Sequence, residues 1–223
     1  MQWNCCSLRA RREELKQFLS TSCTSYDAIC IQETFLKPKQ NFQLTGYDAV
    51  RKDRGEQEQG GGVATFIKSD IPYKIINMDT DVECVIVQIT LKNLTLHLVN
   101  VYSPPNTDIK LDEYRKFFQL RNCIITGDLN AKSAMWKNIE TNQKGKHLKS
   151  LLDEFNYVII NTGLPTHQIA GGGTNILDLT LVCPNLSLKC SWTALNSKLG
   201  SDHNTTFTTL NENKLVQNET KPK

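Results

Sequence analysis

Short apolar segments recur along the whole chain, and this pattern limits the folds that it can adopt. Segments of about four to eight residues that are rich in β-branched side chains are typical of β-strands. We find about nine of them, against three segments with helical periodicity, at residues 11–20, 107–120 and 145–155. Neighbouring strands outnumber strand–helix–strand units. This favours an α+β fold, a four-layered α/β-sandwich in which two mostly antiparallel sheets pack face to face between flanking helices.

The length and composition predict one folded domain with a short tail. The 223 residues are 39% hydrophobic and 22% charged, which is ordinary for a globular protein. We expect residues 1–210 to form the domain and residues 211–223, which are polar and lysine-rich, to form a tail or linker. No apolar segment approaches the roughly 18–20 residues of a membrane span, and Met1 leads into no signal peptide.

The net charge and the cysteines limit the kinds of partner, metal site and compartment that the protein can have. A net charge of +3 is compatible with a polyanionic partner without requiring one. The eight cysteines include no CxxC pair, so a zinc site lacks its usual spacing. Cys30, Cys84 and Cys123 lie within apolar runs. We therefore expect buried, unpaired cysteines in a reducing, intracellular compartment.

Polar side chains stand where several of the apolar runs end. In IITGDLNA (residues 124–131), Asp128 and Asn130 are two positions apart and would point the same way on an extended backbone. Asp178 lies inside the apolar run NILDLTL, where an unpaired carboxylate would be costly, so it requires a partner such as a histidine. The other polar strand-end residues are Asn4, Glu33, Tyr102, Asp202 and His203.

Six motifs occur in a telling order: WNCCSL, IQET, NVYSPP, GDLNA, LDLTL and GSDH. In this order they resemble the endonuclease/exonuclease/phosphatase superfamily, and the resemblance covers about residues 2–210. NAKSAMW, LPTH and LDLTL are similar to the apurinic/apyrimidinic-like endonuclease domain of non-LTR (LINE-type) retrotransposons. The resemblance implies a DNase I-like fold. It also implies a metal-dependent hydrolase that nicks one strand of double-stranded DNA and leaves a 3′-hydroxyl for reverse transcription.

The resemblance also assigns roles to the polar strand-end residues. Glu33 is the principal ligand of Mg²⁺ (with Mn²⁺ as an alternative), beside Asn4, and Asp202 assists. Asp128 orients or deprotonates the attacking water, and Asn130 fixes that aspartate. Further roles fall on Tyr102 as a donor to the phosphate, on His203 paired with Asp178, and on Thr166, Thr174, Asn175 and Ser201 as phosphate or DNA contacts.

Electrostatic contacts to the DNA backbone would come from surface cations. The candidates are Arg51, Lys52, Arg54, Lys132 and Lys137, which could equally serve solubility.

Departures from the family pattern leave alternatives open. Cys6 stands where repair enzymes often carry an acid, and the first strand is short, which would weaken the support under Asn4. We also expect nuclear localisation and an origin in a chain fused to or encoded with a reverse transcriptase. The alternatives are a phosphomonoesterase acting on inositol phosphates and a catalytically degenerate nuclease fold that binds DNA or protein.

Overall fold

The computed structural model describes residues 1–195 and 199–211. The strands are β1 (Gln2–Asn4), β2 (Ala28–Gln32), β3 (Tyr47–Lys52), β4 (Val63–Lys68), β5 (Tyr73–Ile75), β6 (Glu83–Thr90), β7 (Thr95–Tyr102), β8 (Cys123–Asp128), β9 (Val158–Ile159), β10 (His167–Gln168), β11 (Thr174–Asn175), β12 (Asp178–Val182), β13 (Cys190–Ala194) and β14 (Thr206–Leu210). The helices are α1 (Arg12–Thr21), α2 (Leu111–Phe118), α3 (Gln143–Phe155) and α4 (Pro184–Ser187), with a 3-10 turn at Ala134–Trp136.

Two six-stranded sheets form the body of the fold. The first has the strand order β13-β14-β1-β2-β4-β3, and the second has the order β5-β6-β7-β8-β12-β9. Each contains one parallel pair, β1–β2 in the first sheet and β7–β8 in the second, and the remaining pairs are antiparallel. Strands β10 and β11 form a separate hairpin. The predicted fold of two mostly antiparallel sheets is confirmed.

Alternating side chains divide the core between two faces of the first sheet. Ile29 and Ile31 of β2 pack with Leu15 of α1, whereas Cys30 between them joins the cluster shared with the second sheet. This is the two-residue period of a strand. Helices α2 and α3 cover the second sheet with fully buried side chains such as Phe117. The result is the expected order of helix, sheet, sheet and helix.

The helix bounds follow local sequence signals. Helix α3 starts after Asn142, whose side chain accepts the Gly145 backbone N–H, and it ends at Asn156 in the left-handed conformation. The predicted helix at 107–120 is shorter in the structure, at Leu111–Phe118. The short strands β5 and β10 were not predicted, because two or three residues are too few to show a period.

All eight cysteines are free, and Cys30, Cys84 and Cys123 are buried as expected. Within the two described ranges, no helix combines the length and the apolar character of a membrane span. The predicted tail lies outside the described residues beyond position 211. Strand β1 has three residues, yet it pairs with β2 along its whole length and with β14 at Gln2.

Candidate active site

Strand direction brings the polar strand-end residues to one edge of the sandwich. The two parallel pairs end there, so Asn4 lies opposite Gln32 in the first sheet and Tyr102 opposite Asp128 in the second. Strand β12, antiparallel to β8, starts at the same edge and places Asp178 beside Asp128. The candidate site therefore forms at an edge of the sandwich where four strands end and β12 begins.

Asp128 is held by amide donors on both carboxylate oxygens. Its Oδ1 accepts the backbone N–H of Asn130 at 3.0 Å, and its Oδ2 accepts the side-chain amides of Asn4 at 2.9 Å and Asn130 at 3.1 Å. Asn130 reaches back because its φ is +48°, a left-handed conformation that asparagine tolerates. Burial raises the pKa of Asp128 to about 7 against the opposing attraction of His203. This carboxylate is thus a fixed base that titrates near neutrality.

Asp178 has the histidine partner that its burial demands. His203 Nδ1 lies 2.7 Å from Asp178 Oδ2, and its Nε2 lies 3.9 Å from Asp128 Oδ2. Both side chains of the pair are almost completely buried. Burial lowers the pKa of His203, but the charge and hydrogen bond of Asp178 outweigh it and raise the pKa to about 10. The ring is therefore a cation at neutral pH, with Nε2 aimed at the space beside Asp128.

Glu33 lies beside this pair at the mouth of the site. Its Oε1 accepts the amide of Asn4 at 3.1 Å and the hydroxyl of Tyr102 at 2.8 Å. Glu33 follows β2 with a φ of +51°, which turns its side chain out of the strand path. Burial and the neighbouring Glu33 carboxylate raise the pKa of Tyr102, so the phenol remains protonated as a donor.

Ser201 and Thr166, two of the predicted site residues, use their hydroxyl groups to bind the backbone around the site. Ser201 Oγ donates to the Asn4 carbonyl at 2.7 Å and accepts the His203 N–H at 3.1 Å. The Thr166 hydroxyl accepts the backbone N–H groups of residues 177–178 at 2.9 and 3.1 Å. Thr166 is completely buried. The structure thus gives Thr166 a place under Asp178 rather than at a surface that DNA could contact.

Three other predicted residues lie at the rim rather than in the cluster. Asp202 is exposed, and its carboxylate lies 3.6 Å from His167 Nε2. His167, Asp202 and His203 each offer a ligand atom within 4.8 Å of the others. Thr174 and Asn175 stand on β11, where they pair with Gln168 and His167 of β10. Their expected contacts with DNA remain predictions.

A buried polar chain behind Asp178 was not predicted. Gln2 Nε2 donates to both Asp178 Oδ1 and Gln32 Oε1 at 2.7 Å, and Gln32 donates to Asn100 at 2.6 Å. These amides cross the gap between the sheets, so they orient Asp178 from the core side. The available signal was a polar side chain within an apolar strand, as in AICIQ and LVNVY.

The predicted DNA-binding cations all have partners within the protein. The distances are 3.0 Å for Arg51–Asp53, 2.7 Å for Lys52–Val82 carbonyl, 2.8 Å for Arg54–Glu83, 2.7 Å for Lys132–Glu140 and 3.4 Å for Lys137–Thr162 carbonyl. Arg54 also lies over the Tyr102 ring at 5.9 Å. Their role in DNA binding stays a prediction.

The donors at the mouth of the site suit a hard divalent cation. Glu33 and Asp202 offer carboxylate oxygens, which are ligands that Mg²⁺ and Mn²⁺ prefer. Asn4 instead turns its NH2 group toward Glu33, and its amide oxygen accepts the Cys6 N–H at 3.2 Å. Among the described residues, His167, Asp202 and His203 form the one group of three or more histidine, cysteine or acidic side chains close enough to share an ion. The oxygen donors present suit a divalent metal, and Glu33, which is not a member of that group, stays a predicted ligand.

Sequence comparison relates the chain to mobile-element proteins. A family model described as "Endonuclease-reverse transcriptase" matches residues 96–207. The RNA-directed DNA polymerase from mobile element jockey of Drosophila melanogaster is 31% identical over 170 residues, which are 74% of this chain and 18% of that protein. The probable RNA-directed DNA polymerase from transposon X-element of the same fly is 25% identical over 211 residues, 90% of this chain and 23% of that protein. The chain thus spans about a fifth of the length of these relatives.

Solved structures show the same fold across almost the whole chain. The endonuclease domain of TRAS1, a telomere-specific non-LTR retrotransposon, superposes with a TM-score of 0.78 at 19% identity, covering 96% of this chain and 98% of that one. The AP endonuclease LMAP from Leishmania major gives a TM-score of 0.75 at 15% identity, with coverage of 93% and 85%. From this fold and the matched family, the chain belongs to the endonuclease/exonuclease/phosphatase family of phosphodiester hydrolases, among the apurinic/apyrimidinic-endonuclease-like domains of non-LTR retrotransposons.

Proposed function

We propose that this domain is a Mg²⁺-dependent DNA endonuclease that nicks one strand by hydrolysis and leaves a 3′-hydroxyl. One observation carries the proposal. A fixed carboxylate, a cationic imidazole and a carboxylate suited to a metal converge at one edge of the sandwich, in Asp128, His203 and Glu33. Phosphodiester hydrolysis needs these three functions: a base for water, positive charge for the phosphoryl oxygens and a hard cation.

Glu33 would hold the metal with Asp202, and Asn4 would orient the Glu33 carboxylate. Bound there, a divalent cation supplies positive charge to the phosphate and to the leaving oxygen. The amide of Asn4 connects the two halves of the site, because it donates both to Glu33 and to Asp128. The ligand side and the base side are therefore fixed relative to one another before any substrate binds.

The protein side chains account for the proton transfer and for part of the charge. A water molecule beside Asp128 loses its proton to the carboxylate as its oxygen attacks phosphorus. The bond from phosphorus to O3′ breaks, and the leaving O3′ takes a proton from solvent water. The 5′-phosphate therefore stays on one fragment and the other ends in a 3′-hydroxyl. The protonated Nε2 of His203, 3.9 Å from Asp128 Oδ2, donates to a phosphoryl oxygen as negative charge builds there. The Tyr102 hydroxyl donates its one hydrogen to Glu33 Oε1 at 2.8 Å and so orients that carboxylate.

The product would prime DNA synthesis. A 3′-hydroxyl on nicked double-stranded DNA is the primer that a reverse transcriptase extends, and the matching relatives are RNA-directed DNA polymerases. We therefore place the activity in the nucleus, on chromosomal DNA, in association with a reverse transcriptase. Binding of the duplex backbone by lysine and arginine would weaken as salt rises.

A plasmid assay tests the proposal. The parent protein is incubated with supercoiled plasmid and Mg²⁺ beside Asp128→Asn and His203→Gln, with the exposed Asp70→Asn as a matched control. We expect nicked circles from the parent and the control, and loss of nicking in both site variants and in EDTA. A DNA polymerase should extend the nicks without prior end treatment.

Other outcomes would contradict the proposal. Phosphate release from an inositol phosphate without nicking would identify a phosphomonoesterase. DNA retention without cleavage by a folded protein would identify a binding module. Nicks that a polymerase extends only after phosphatase treatment would refute the 3′-hydroxyl product.

A further inference from the structure

The first turn of α3 reaches into the active-site edge although none of its residues belongs to the site described above. Its sequence is Asn142-Gln143-Lys144-Gly145. Three of these residues contact the two segments that leave the parallel strands β7 and β8. Those segments directly follow Tyr102 and Asp128, the last residues of the two strands.

Lys144 is a buried cation whose contacts fix the segment after β7. It is 4% exposed, and its ammonium donates to the Ser103 carbonyl at 3.1 Å, to the Ser103 hydroxyl at 2.7 Å and to the Pro104 carbonyl. These acceptors use the three N–H bonds of the ammonium. The Ser103 carbonyl also accepts the side-chain amide of Asn130 at 3.2 Å. Lys144 therefore fixes the acceptor that orients Asn130.

Asn142 fixes Asn130 through a hydrogen bond to the Asn130 backbone carbonyl. Asn142 Nδ2 donates to the Asn130 carbonyl at 2.9 Å, while its Oδ1 accepts the N–H groups of Gly145 at 2.8 Å and Lys132 at 2.9 Å. One side chain thus caps the helix and ties it to the residues after Asp128.

Gly145 permits the close approach that these bonds require. A Cβ at this position would lie 1.8 Å from the Lys132 carbonyl oxygen, far inside any real contact. The helix can therefore press its first turn against the segment after Asn130 only with glycine here. The usual preference of helices for alanine over glycine is overridden by this contact.

We propose that Asn142, Lys144 and Gly145 form a positioning turn that sets the orientation of Asn130 and, through it, of the Asp128 carboxylate in the proposed nicking reaction. The backbone carbonyl of Asn130 accepts a hydrogen bond from Asn142, and its side-chain amide donates to the Ser103 carbonyl that also accepts from Lys144. Asn130 in turn donates two hydrogen bonds to Asp128, one from its backbone N–H and one from its side-chain amide. The side-chain hydrogen bonds of the Asp128 carboxylate come from Asn4 and Asn130 and from none of these three residues. They are positioning residues, and the inference rests on the proposed function.

The three contacts of the side chain at position 144 require a lysine. A compact ammonium can donate in three directions at once, whereas the planar guanidinium of arginine cannot reach three converging oxygens. A methionine of similar volume fills the space without donating. Asn142→Asp keeps the oxygen that caps the helix and loses the donor to Asn130. These two variants separate the contacts to Asn130 from the packing and capping of α3.

The test measures nicking rates and the orientation of Asn130 together. Lys144→Met and Asn142→Asp are compared with the parent and with Lys146→Met, an exposed lysine two positions along the same helix. A displacement of about 1 Å at a reacting group costs on the order of 100-fold in rate. We expect kcat to fall between about 10- and 100-fold in both variants, with KM within about 2-fold of the parent. Lys146→Met should nick like the parent.

A second readout keeps this inference distinct from the proposed function. In the metal-free proteins, NMR should show slow hydrogen exchange of the Asn130 side-chain amide in the parent and in Lys146→Met, and faster exchange in the two variants. If the parent does not nick, the proposed function fails while the exchange measurement still judges the positioning turn. Parent-like kcat and parent-like exchange in folded Lys144→Met and Asn142→Asp would overturn the inference.

Discussion

The glycine of GDLN provides the sharpest prediction, because its replacement changes one contact at the centre of the site. A Cβ on Gly127 would lie 1.8 Å from the carbonyl oxygen of Val101 on the neighbouring parallel strand, whereas real Cβ contacts below 3.0 Å essentially never occur. In Gly127→Ala, β7 and β8 must therefore separate by about the difference between 3.0 and 1.8 Å. The φ of +150° is also one that alanine rarely adopts.

These two effects set the expected magnitude. Overpacking costs about 1–3 kcal/mol and the strained backbone costs a similar amount, so we expect the free energy of unfolding to fall by about 2–6 kcal/mol. The next register pair is Tyr102 with Asp128, so a shift of this size also moves the base relative to its neighbours. We expect the nicking rate of the folded fraction to fall on the order of 100-fold.

Urea denaturation followed by circular dichroism measures the stability, and plasmid nicking measures the rate. Gly55→Ala is the matched control, because its Cβ would meet only the flexible Glu58 side chain at 3.1 Å. We expect that control to change stability by less than about 0.5 kcal/mol. A Gly127→Ala protein with parent-like stability and parent-like nicking would refute the close-approach argument.

Three further predictions concern charge at the site. Asp178→Asn removes the main source of the raised His203 pKa, so a metal-free NMR titration of the imidazole should show the pKa fall from about 10 toward its usual value near 6.5. The contribution of this pair to stability is complete below about pH 6.5 and is lost as pH rises through 10, and an unchanged pKa in the variant would contradict the assignment. Burial lowers the pKa of Lys144 to about 8, so the unfolded chain binds more protons than the folded one between about pH 8 and 10. The stability of the parent relative to Lys144→Met should rise with pH across that window, and a flat difference in urea unfolding free energy would count against it. Glu33→Gln should weaken Mn²⁺ binding at least about 10-fold by electron paramagnetic resonance, with the exposed Glu13→Gln as control, and equal affinities would exclude Glu33 as a ligand.

The fold follows from features that the sequence displays locally. Apolar runs with a two-residue period, such as residues 28–32, mark strands whose alternate side chains face a helix or the other sheet. Because most strands are followed in the sequence by another strand and not by a helix, two packed sheets flanked by helices are the arrangement that buries both faces of each sheet. The short strands β5 and β10 escaped prediction, because two or three positions show no measurable period.

The members of the candidate site were also visible, because polar side chains at the ends of apolar runs are conspicuous. Asp178 is the clearest case, since a carboxylate inside an apolar strand demands a partner, and His203 lies at 2.7 Å. The sequence did not show which of these side chains are exposed to solvent and which are buried. Thr166 was expected to contact DNA, yet it is completely buried and accepts backbone N–H groups beneath Asp178.

By itself, the sequence determined the sandwich of two sheets, the family and the polar residues that end its strands. The tertiary structure decided which of them touch, because those contacts depend on strand register and on the meeting of two sheets. Asn4 joins Glu33 to Asp128 across 124 residues of chain, and Gln2 reaches Asp178 across 176. Lys144 gained its role in the same way, since a lysine in a helical run reads as a surface charge until folding buries it against Ser103. Hydrogen bonds act over about 3 Å, and no local sequence pattern specifies a distance of that kind between segments so far apart.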